Sequence, residues 1–261
     1  MGNLVLDIGN FRVKGALFEG DKLVQRWAIS CHPFSPEQLK GVLKKQRFEQ
    51  CLISSVNEEV EKQVRQVFKE ENLLYIFLNF ADVKVKLEVD EPEQLGHDRI
   101  ANVYGALFRF PRNDCIVVDI GTAVTFDYIG KTGSYLGGTI YPGMELCAKA
   151  LADYTSKLPL VEMEKPSTPV GKTTKSQIQS GIYYGLLGAI ERTISEVRLT
   201  NPSPSSIQVI ATGGATYVLE SEEQSWKAAF VEDLEELVDF IDPHLTLVGL
   251  HEILKEYITK K

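Results

Sequence analysis

The segment Leu4-Val5-Leu6-Asp7-Ile8-Gly9-Asn10 recurs, nearly type for type, as Ile116-Val117-Val118-Asp119-Ile120-Gly121-Thr122. One structural unit therefore occurs twice in this chain. In each copy an apolar, β-branched run predicts a buried strand, an Asp follows it, and a Gly permits a tight turn into a second strand. Such a turn presents backbone N–H groups and a carboxylate together. The N–H groups attract phosphate oxygens, and the carboxylate holds the hydrated cation that phosphates require. Two facing copies would clamp one nucleotide triphosphate.

The length of 261 residues exceeds that of a usual single domain and suits two modest ones, each able to bury a core. Hydrophobic residues at 44% and charged residues at 25% argue against disorder and against a fibrous protein. The net charge of −8 disfavours a nucleic-acid surface. Cys31, Cys51, Cys115 and Cys147 are scattered and form no CxxC pair, so neither a disulfide framework nor a zinc site is expected. His32, His97, His244 and His251 show no metal-ligand spacing either. The N-terminus enters a strand by Leu4, which leaves no room for a secretion leader, and no apolar run is long enough to cross a bilayer. A reduced, cytoplasmic protein without membrane or nucleic-acid partners is expected.

Asn3–Ile8, Val13–Glu19 and Lys22–Ser30 predict an antiparallel meander. Ser35-Pro36, with Gln38 three residues after the cap, opens a helix to about Phe48. Cys51–Ser55 reads as a strand, Glu58–Lys69 as a helix and Leu73–Leu78 as a strand, and a helix beginning at Asp98 or a neighbour ends near Phe110-Pro111. The plan repeats from Cys115, with strands at Cys115–Ile120, Ala123–Ile129 and Ser134–Ile140. An irregular loop from Ser156 to Thr173 precedes a long helix from about Lys175 to Thr200, a strand at Ile207–Ala211 ends in Thr212-Gly213-Gly214, and Pro243 through Tyr257 suits a closing helix. The short Pro111–Asp114 is the linker candidate, which divides the chain into domains 1–112 and 113–261, with the last helix able to pack back on the first.

A duplicated three-strand meander with a DxG[NT] turn in each half resembles the acetate and sugar kinase, heat-shock chaperone and actin superfamily. That resemblance implies an α/β fold of duplicated ribonuclease-H-like (actin-like ATPase) domains, with ATP in the cleft between them. A single DxG is more often a structural turn; two in register, with Gly213-Gly214 after a late strand, point to nucleotide. Glycines there let backbone approach adenine or ribose without a Cβ clash, and the superfamily uses such a turn for adenosine. Gly171-Lys172-Thr173 imitates the end of a P-loop, but Pro166 replaces the required earlier glycine, so it is set aside.

The resemblance narrows at Gly96-His97-Asp98-Arg99. Together with Pro92, Gly137-Gly138-Thr139-Ile140-Tyr141-Pro142-Gly143, Leu158-Pro159 and Thr174 through Gly181, in that order over essentially the whole chain, it is similar to the type III pantothenate kinases. That family phosphorylates pantothenate from ATP in the first step toward coenzyme A. The resemblance implies Asp98 as proton acceptor, and a carboxylate on the substrate hydroxyl would align it with the γ-phosphate. Asp98 equally suits a helix N-cap. Arg99 is a planar fork suited to the carboxylate of pantothenate, or to an ion pair with Asp98. Gly96 either brings backbone close to substrate or shapes the turn. Thr174 matches the family's substrate-contacting threonine and also reads as an N-cap with Gln177.

The resemblance further assigns Asp7, Ile8, Gly9, Asn10, Phe11, Arg12, Val13 and Lys14 to the first phosphate loop, with Asp7 holding Mg2+ through water. It assigns Thr122, Gly213 and Gly214 to ATP, and Asp119 to a monovalent cation, K+ or NH4+. It implies a homodimer, to which Gly181, Gly185 and Gly188 in the long helix lend a small-residue packing face. Three positions depart from the pattern. Val89 stands where a substrate-binding Tyr is usual, His97 fills a slot commonly taken by a small or aliphatic residue, and Ala215 follows the Gly-Gly turn where Asp is common. A kinase of another small alcohol and a non-catalytic, nucleotide-binding regulatory relative are the alternatives.

Overall fold

The computed structural model describes residues 2–201, 206–217 and 226–259. In chain order the elements are β1 (Gly2–Ile8), β2 (Arg12–Glu19), β3 (Lys22–Ser30), α1 (Pro36–Leu43), β4 (Phe48–Ser55), α2 (Glu58–Glu70), β5 (Ile76–Phe77), α3 (His97–Arg109), β6 (Cys115–Ile120), β7 (Ala123–Ile129) and β8 (Tyr135–Pro142). Then follow α4 (Met144–Asp153), α5 (Thr174–Thr200), β9 (Gln208–Thr212), α6 (Trp226–Glu235), β10 (Phe240–Ile241) and α7 (Leu245–Thr259). They form two compact units. The first takes the chain through Pro111, the short stretch Gly133–Tyr135, and everything from His244 onward; the second takes Arg112–Thr132 and Leu136–Pro243.

In the first unit the strand order is β3-β2-β1-β4-β5. Strand β1 runs antiparallel to β2 and parallel to β4. Because successive side chains alternate across a strand, β1 supplies both faces. Leu4, Leu6 and Ile8 pack with Leu39 and Leu43 of α1 and with Val60, Val64, Val67 and Phe68 of α2. Val5 packs on the opposite side with Ile100, Ala101 and Tyr104 of α3 and with Leu247, Leu250 and Leu254 of α7. Each fully buried Leu or Ile contributes roughly 1.5–3 kcal/mol, so α7 is a principal support of α3. Two glycines set that crossing. A Cβ on Gly249 would lie 2.6 Å from Ala101 C, and one on Gly105 would lie 2.5 Å from Leu245 O. Buried Thr246 Oγ1 also donates to Asn102 Oδ1 at 2.8 Å.

The second unit repeats the sheet. Its order β10-β9-β6-β7-β8 is the first sheet's order written from the opposite edge, with β6 antiparallel to β7 and parallel to β9. Ile116, Val118 and Ile120 of β6 pack with Met144 and Ala148 of α4, with Ile178 through Ile194 of α5 and with Phe230 and Leu234 of α6. Among the described residues, no helix is long and apolar enough to cross a membrane.

Four local expectations are corrected. Helix α1 ends at Leu43 rather than near Phe48, because the positions that would continue its buried stripe are Gln46 and Arg47; Lys45 N and Gln46 N instead bond Val42 O and Leu43 O in tighter turns. The strand expected over Leu73–Leu78 shrinks to Ile76–Phe77. Asn72 at φ 52° and the Leu73 N–Phe68 O bond use the preceding residues to cap α2, and Leu74 is exposed. Helix α5 is capped by Thr173, not Thr174, with Ser176 rather than Gln177 completing the capping box. Gly96, not Asp98, is the N-cap of α3.

Candidate active site

The β1–β2 turn closes on Gly9 N–Arg12 O at 3.1 Å. Asp7 lies one register before the end of β1, opposite Lys14 of β2, and is 5% exposed. It shares the face of Val5, the face that α3 covers, so this carboxylate and the first turn of α3 lie on the same side of the sheet. Asn10, Phe11 and Arg12 are exposed, while Val13 is buried. The turn's carbonyls are held from behind. Cys31 N donates to Phe11 O at 2.8 Å, Cys31 Sγ donates to Gly9 O at 3.4 Å, and His32 Nε2 meets Asn10 O at 3.1 Å. Burial, and then the neighbouring Asp7 charge, raise the Cys31 thiol pKa, which keeps it the protonated donor. Cys31 and His32 carried no sequence signal for this role, because bonds to distant carbonyls leave no pattern in residue type.

The β6–β7 turn is the second copy, one residue shorter. Ile8 pairs with Val13 but Ile120 pairs with Val124, and Gly121 N bonds Ala123 O at 3.0 Å. The residue opposite the Asp accordingly differs: Lys14 faces Asp7, whereas Thr125 faces Asp119. The first turn carries a cation suited to phosphate; the second does not. Two glycine-dependent contacts brace it. Gly143, the N-cap of α4, donates to Thr122 O at 2.9 Å, and a Cβ there would lie 2.5 Å from that oxygen. Gly213 has φ 101°, and a Cβ on it would lie 2.5 Å from Ile120 N and press on Asp119 Oδ1. Ala215 N bonds Ile120 O at 3.0 Å, and Thr216 Oγ1 donates to Gly213 O at 2.9 Å. Gly214 has open space at its Cβ position, so the pair divides its labour: Gly213 permits close packing and Gly214 keeps the surface clear. Asp119, Thr122, Gly213 and Gly214 are thus one cluster of the second unit.

At α3, Gly96 (φ −58°, ψ 141°) is the N-cap and Ile100 N bonds Gly96 O at 3.1 Å. Asp98 is in the first turn, where a carboxylate complements the helix dipole. Its Oδ1 accepts from Arg99 N at 2.8 Å. A Cβ on Gly96 would collide with that same Oδ1, so the glycine's role is to admit the carboxylate. Arg99 Nη2 donates to Tyr135 Oη at 2.8 Å. His97 and Val89 are half-buried. Thr174, in the second unit, is exposed at the first position of α5, its capping role taken by Thr173. Gly171 packs against the start of α5, where a Cβ would lie 2.5 Å from Ser176 C, which gives Gly171-Lys172-Thr173 a structural purpose in place of a P-loop.

These features define a class first. Two units with the same five-stranded topology, each with an Asp-Ile-Gly segment entering the turn of its central hairpin, make an α/β, duplicated ribonuclease-H-like ATPase fold. MreB 5 of Spiroplasma citri, solved with AMPPNP, matches at a TM-score of 0.50 and 11% identity over 99% of this chain and 97% of that one. A conserved protein of Campylobacter jejuni assigned to the Baf family of transcriptional activators matches at 0.58 and 20% identity, over 98% and 99%. The sequence resolves the family within that class. The type III pantothenate kinase family model matches residues 3–196, and a type III pantothenate kinase of Dehalococcoides mccartyi is 33% identical over 262 residues, 96% of each chain. This chain belongs to the type III pantothenate kinase family.

Proposed function

We propose that this chain transfers the γ-phosphoryl group of ATP to the primary hydroxyl of pantothenate, giving 4′-phosphopantothenate, the first step of coenzyme A biosynthesis. The observation that carries this is the Gly96-His97-Asp98-Arg99 turn, with its carboxylate fixed at the head of α3, in a chain of this family. Asp98 orients the hydroxyl for in-line attack and receives its proton. In a loose transition state deprotonation is late, so alignment contributes more than basicity. Arg99 takes the carboxylate of pantothenate as a fork, and Gly96, His97, Val89 and Thr174 complete the substrate contacts.

Each of two actin-like ATPase domains, 1–112 and 113–261 with α7 returned to the first, supplies one turn for ATP. The first contributes residues Asp7 to Lys14, with Lys14 on phosphate. The second contributes Thr122, Gly213 and Gly214. Asp7, a buried carboxylate beside a lysine, fits Mg2+ held through water, and Asp119 fits K+ or NH4+; both ions offset triphosphate charge when bound. A homodimer is supported by α5, on which Gly181, Gly185 and Gly188 form an exposed stripe with open space at each Cβ position. The four cysteines are free and three are buried, which suits a reducing cytoplasm.

The test is mass-spectrometric detection of phosphopantothenate from pantothenate and MgATP, in potassium and then sodium buffer, with Asp98→Asn beside the wild type. Potassium-dependent product that the variant loses is the expected result. No product in either salt, with ATP still bound, would instead make this chain a regulatory relative or a kinase of another alcohol.

A further inference from the structure

Tyr135 opens β8, yet it belongs to the short stretch Gly133–Tyr135 that is part of the first unit. It is 1% exposed and is held through its backbone on both sides. Tyr135 N donates to Lys86 O at 2.9 Å, and Glu88 N donates to Tyr135 O at 2.8 Å, a parallel bridge centred on Leu87. A further tie runs beside it: bonds from Lys86 and then Ser134 hold the Glu88 carboxyl below its ordinary pKa. The bridged segment leads directly into Val89. The side chain of Tyr135 reaches the other way, where its hydroxyl accepts from Arg99 Nη2 at 2.8 Å.

One buried residue therefore ties together the Arg99 fork and the segment that carries Val89. The guanidinium is planar, with five donors in fixed directions. Fixing Nη2 restricts its rotation, so the direction in which its remaining donors point is set. A phenol hydroxyl takes one donor without placing a further negative charge beside the guanidinium. The Arg99 Cζ lies 5.9 Å from the Tyr135 ring centroid, so the hydroxyl is the closer tie.

We infer that Tyr135 is a positioning residue for acceptor specificity: it aims Arg99 at the carboxylate of the acceptor and fixes the segment bearing Val89 relative to that fork. This rests on the pantothenate reading of the site. It concerns selection of a carboxylate-bearing acceptor and leaves phosphoryl transfer itself to Asp98.

The test is Tyr135→Phe, which keeps the ring and the backbone bridge. Specificity is read as the ratio of kcat/KM for pantothenate to kcat/KM for the analogue whose carboxylate is reduced to an alcohol. The expected result is a roughly tenfold fall in that ratio, the scale of one charge-assisted hydrogen bond, arising from KM for pantothenate, with kcat and KM for ATP within about twofold of wild type. In an Arg99→Gln background, Tyr135→Phe should change the ratio no further. An equal loss with both acceptors, an undiminished effect in the Arg99→Gln background, or failure of Tyr135→Phe to fold would each assign the hydroxyl a merely structural role and overturn the inference. If the wild type phosphorylates pantothenate and Tyr135→Phe keeps the wild-type ratio, the inference alone falls. A wild type that does not phosphorylate pantothenate removes the functional proposal and this inference with it.

Discussion

Gly96 is the N-cap that makes room for Asp98: the space where a Cβ would stand is taken by Asp98 Oδ1, which accepts from Arg99 N at 2.8 Å. Gly96→Ala at this ordinary φ leaves the helix able to form. The carboxylate must rotate instead. We expect kcat to fall by about 10²-fold, the scale of a misplacement near 1 Å at a reacting centre, with little change in thermal unfolding. Steady-state kinetics beside a melting curve check it; an unchanged kcat would show that the carboxylate does its work from another rotamer.

Gly213 combines a left-handed φ with contact to the Asp119 turn. Gly213→Ala adds backbone strain on the order of 1 kcal/mol or more and pushes on Asp119 and Ile120. The proposed adenosine and cation contacts are in the same cluster, so KM for ATP should rise and the potassium dependence should weaken, while KM for pantothenate holds. Gly214→Ala, with open space, should retain far more of the ATP affinity.

Thr173 and Thr174 are neighbours with separable expected effects. Thr173→Val removes the capping box of α5 and should cost about 1 kcal/mol of stability, visible in a urea titration. Thr174→Val leaves the cap intact and should raise KM for pantothenate without moving the urea midpoint. Reversed outcomes would return Thr174 to a structural role.

His251 is buried, stacked on Phe18 at 4.2 Å, with Nε2 bonded to Gly20 O at 2.9 Å. Burial lowers its pKa, with nearby Lys255 acting in the same direction and Gly20 and Asp21 opposing. Folded protein therefore refuses a proton that the unfolded chain accepts near pH 6.5. Stability is fully present above the unfolded value and is lost as pH falls below it, by at most about 1.4 kcal/mol per pH unit, until the folded form also titrates. Glu252, whose pKa burial raises, acts in the opposite sense at lower pH. The urea midpoint should decline from pH 7.5 to 5.5, and His251→Gln should flatten that decline. An equal slope in the variant would move the effect to other groups.

The repeat around Asp7 and Asp119 made the sheet topology legible, because strand and turn are written locally in residue type. Its mismatch of one residue at the turn was not legible, since Arg12 and Ala123 are equally acceptable as strand starts. Asp98 and Arg99 were singled out by motif as candidates, but not the groups that fix them. Gly96 as a space-maker, Tyr135 as an acceptor and Cys31 behind the first turn act through distances that composition and periodicity do not encode. The same holds for Gly105 and Gly249, ordinary residues in sequence until two helices cross on them. Sequence assigned Thr174 two roles; the structure gives the cap to Thr173.

The dependence of α3 on α7 has a consequence for how the protein is made. The strands and helices of the entire second unit lie between them in the chain, and synthesis delivers residues in order at about 5–20 per second. Ile100, Ala101 and Tyr104 must therefore wait on the ribosome with one side uncovered, long after β1 and β2 have paired. Arrested nascent chains should show α3 open to protease until residues 245–259 have cleared the exit tunnel and closed to it afterwards. The helix that bears Asp98 is, on this account, among the last parts of its unit to be locked in place.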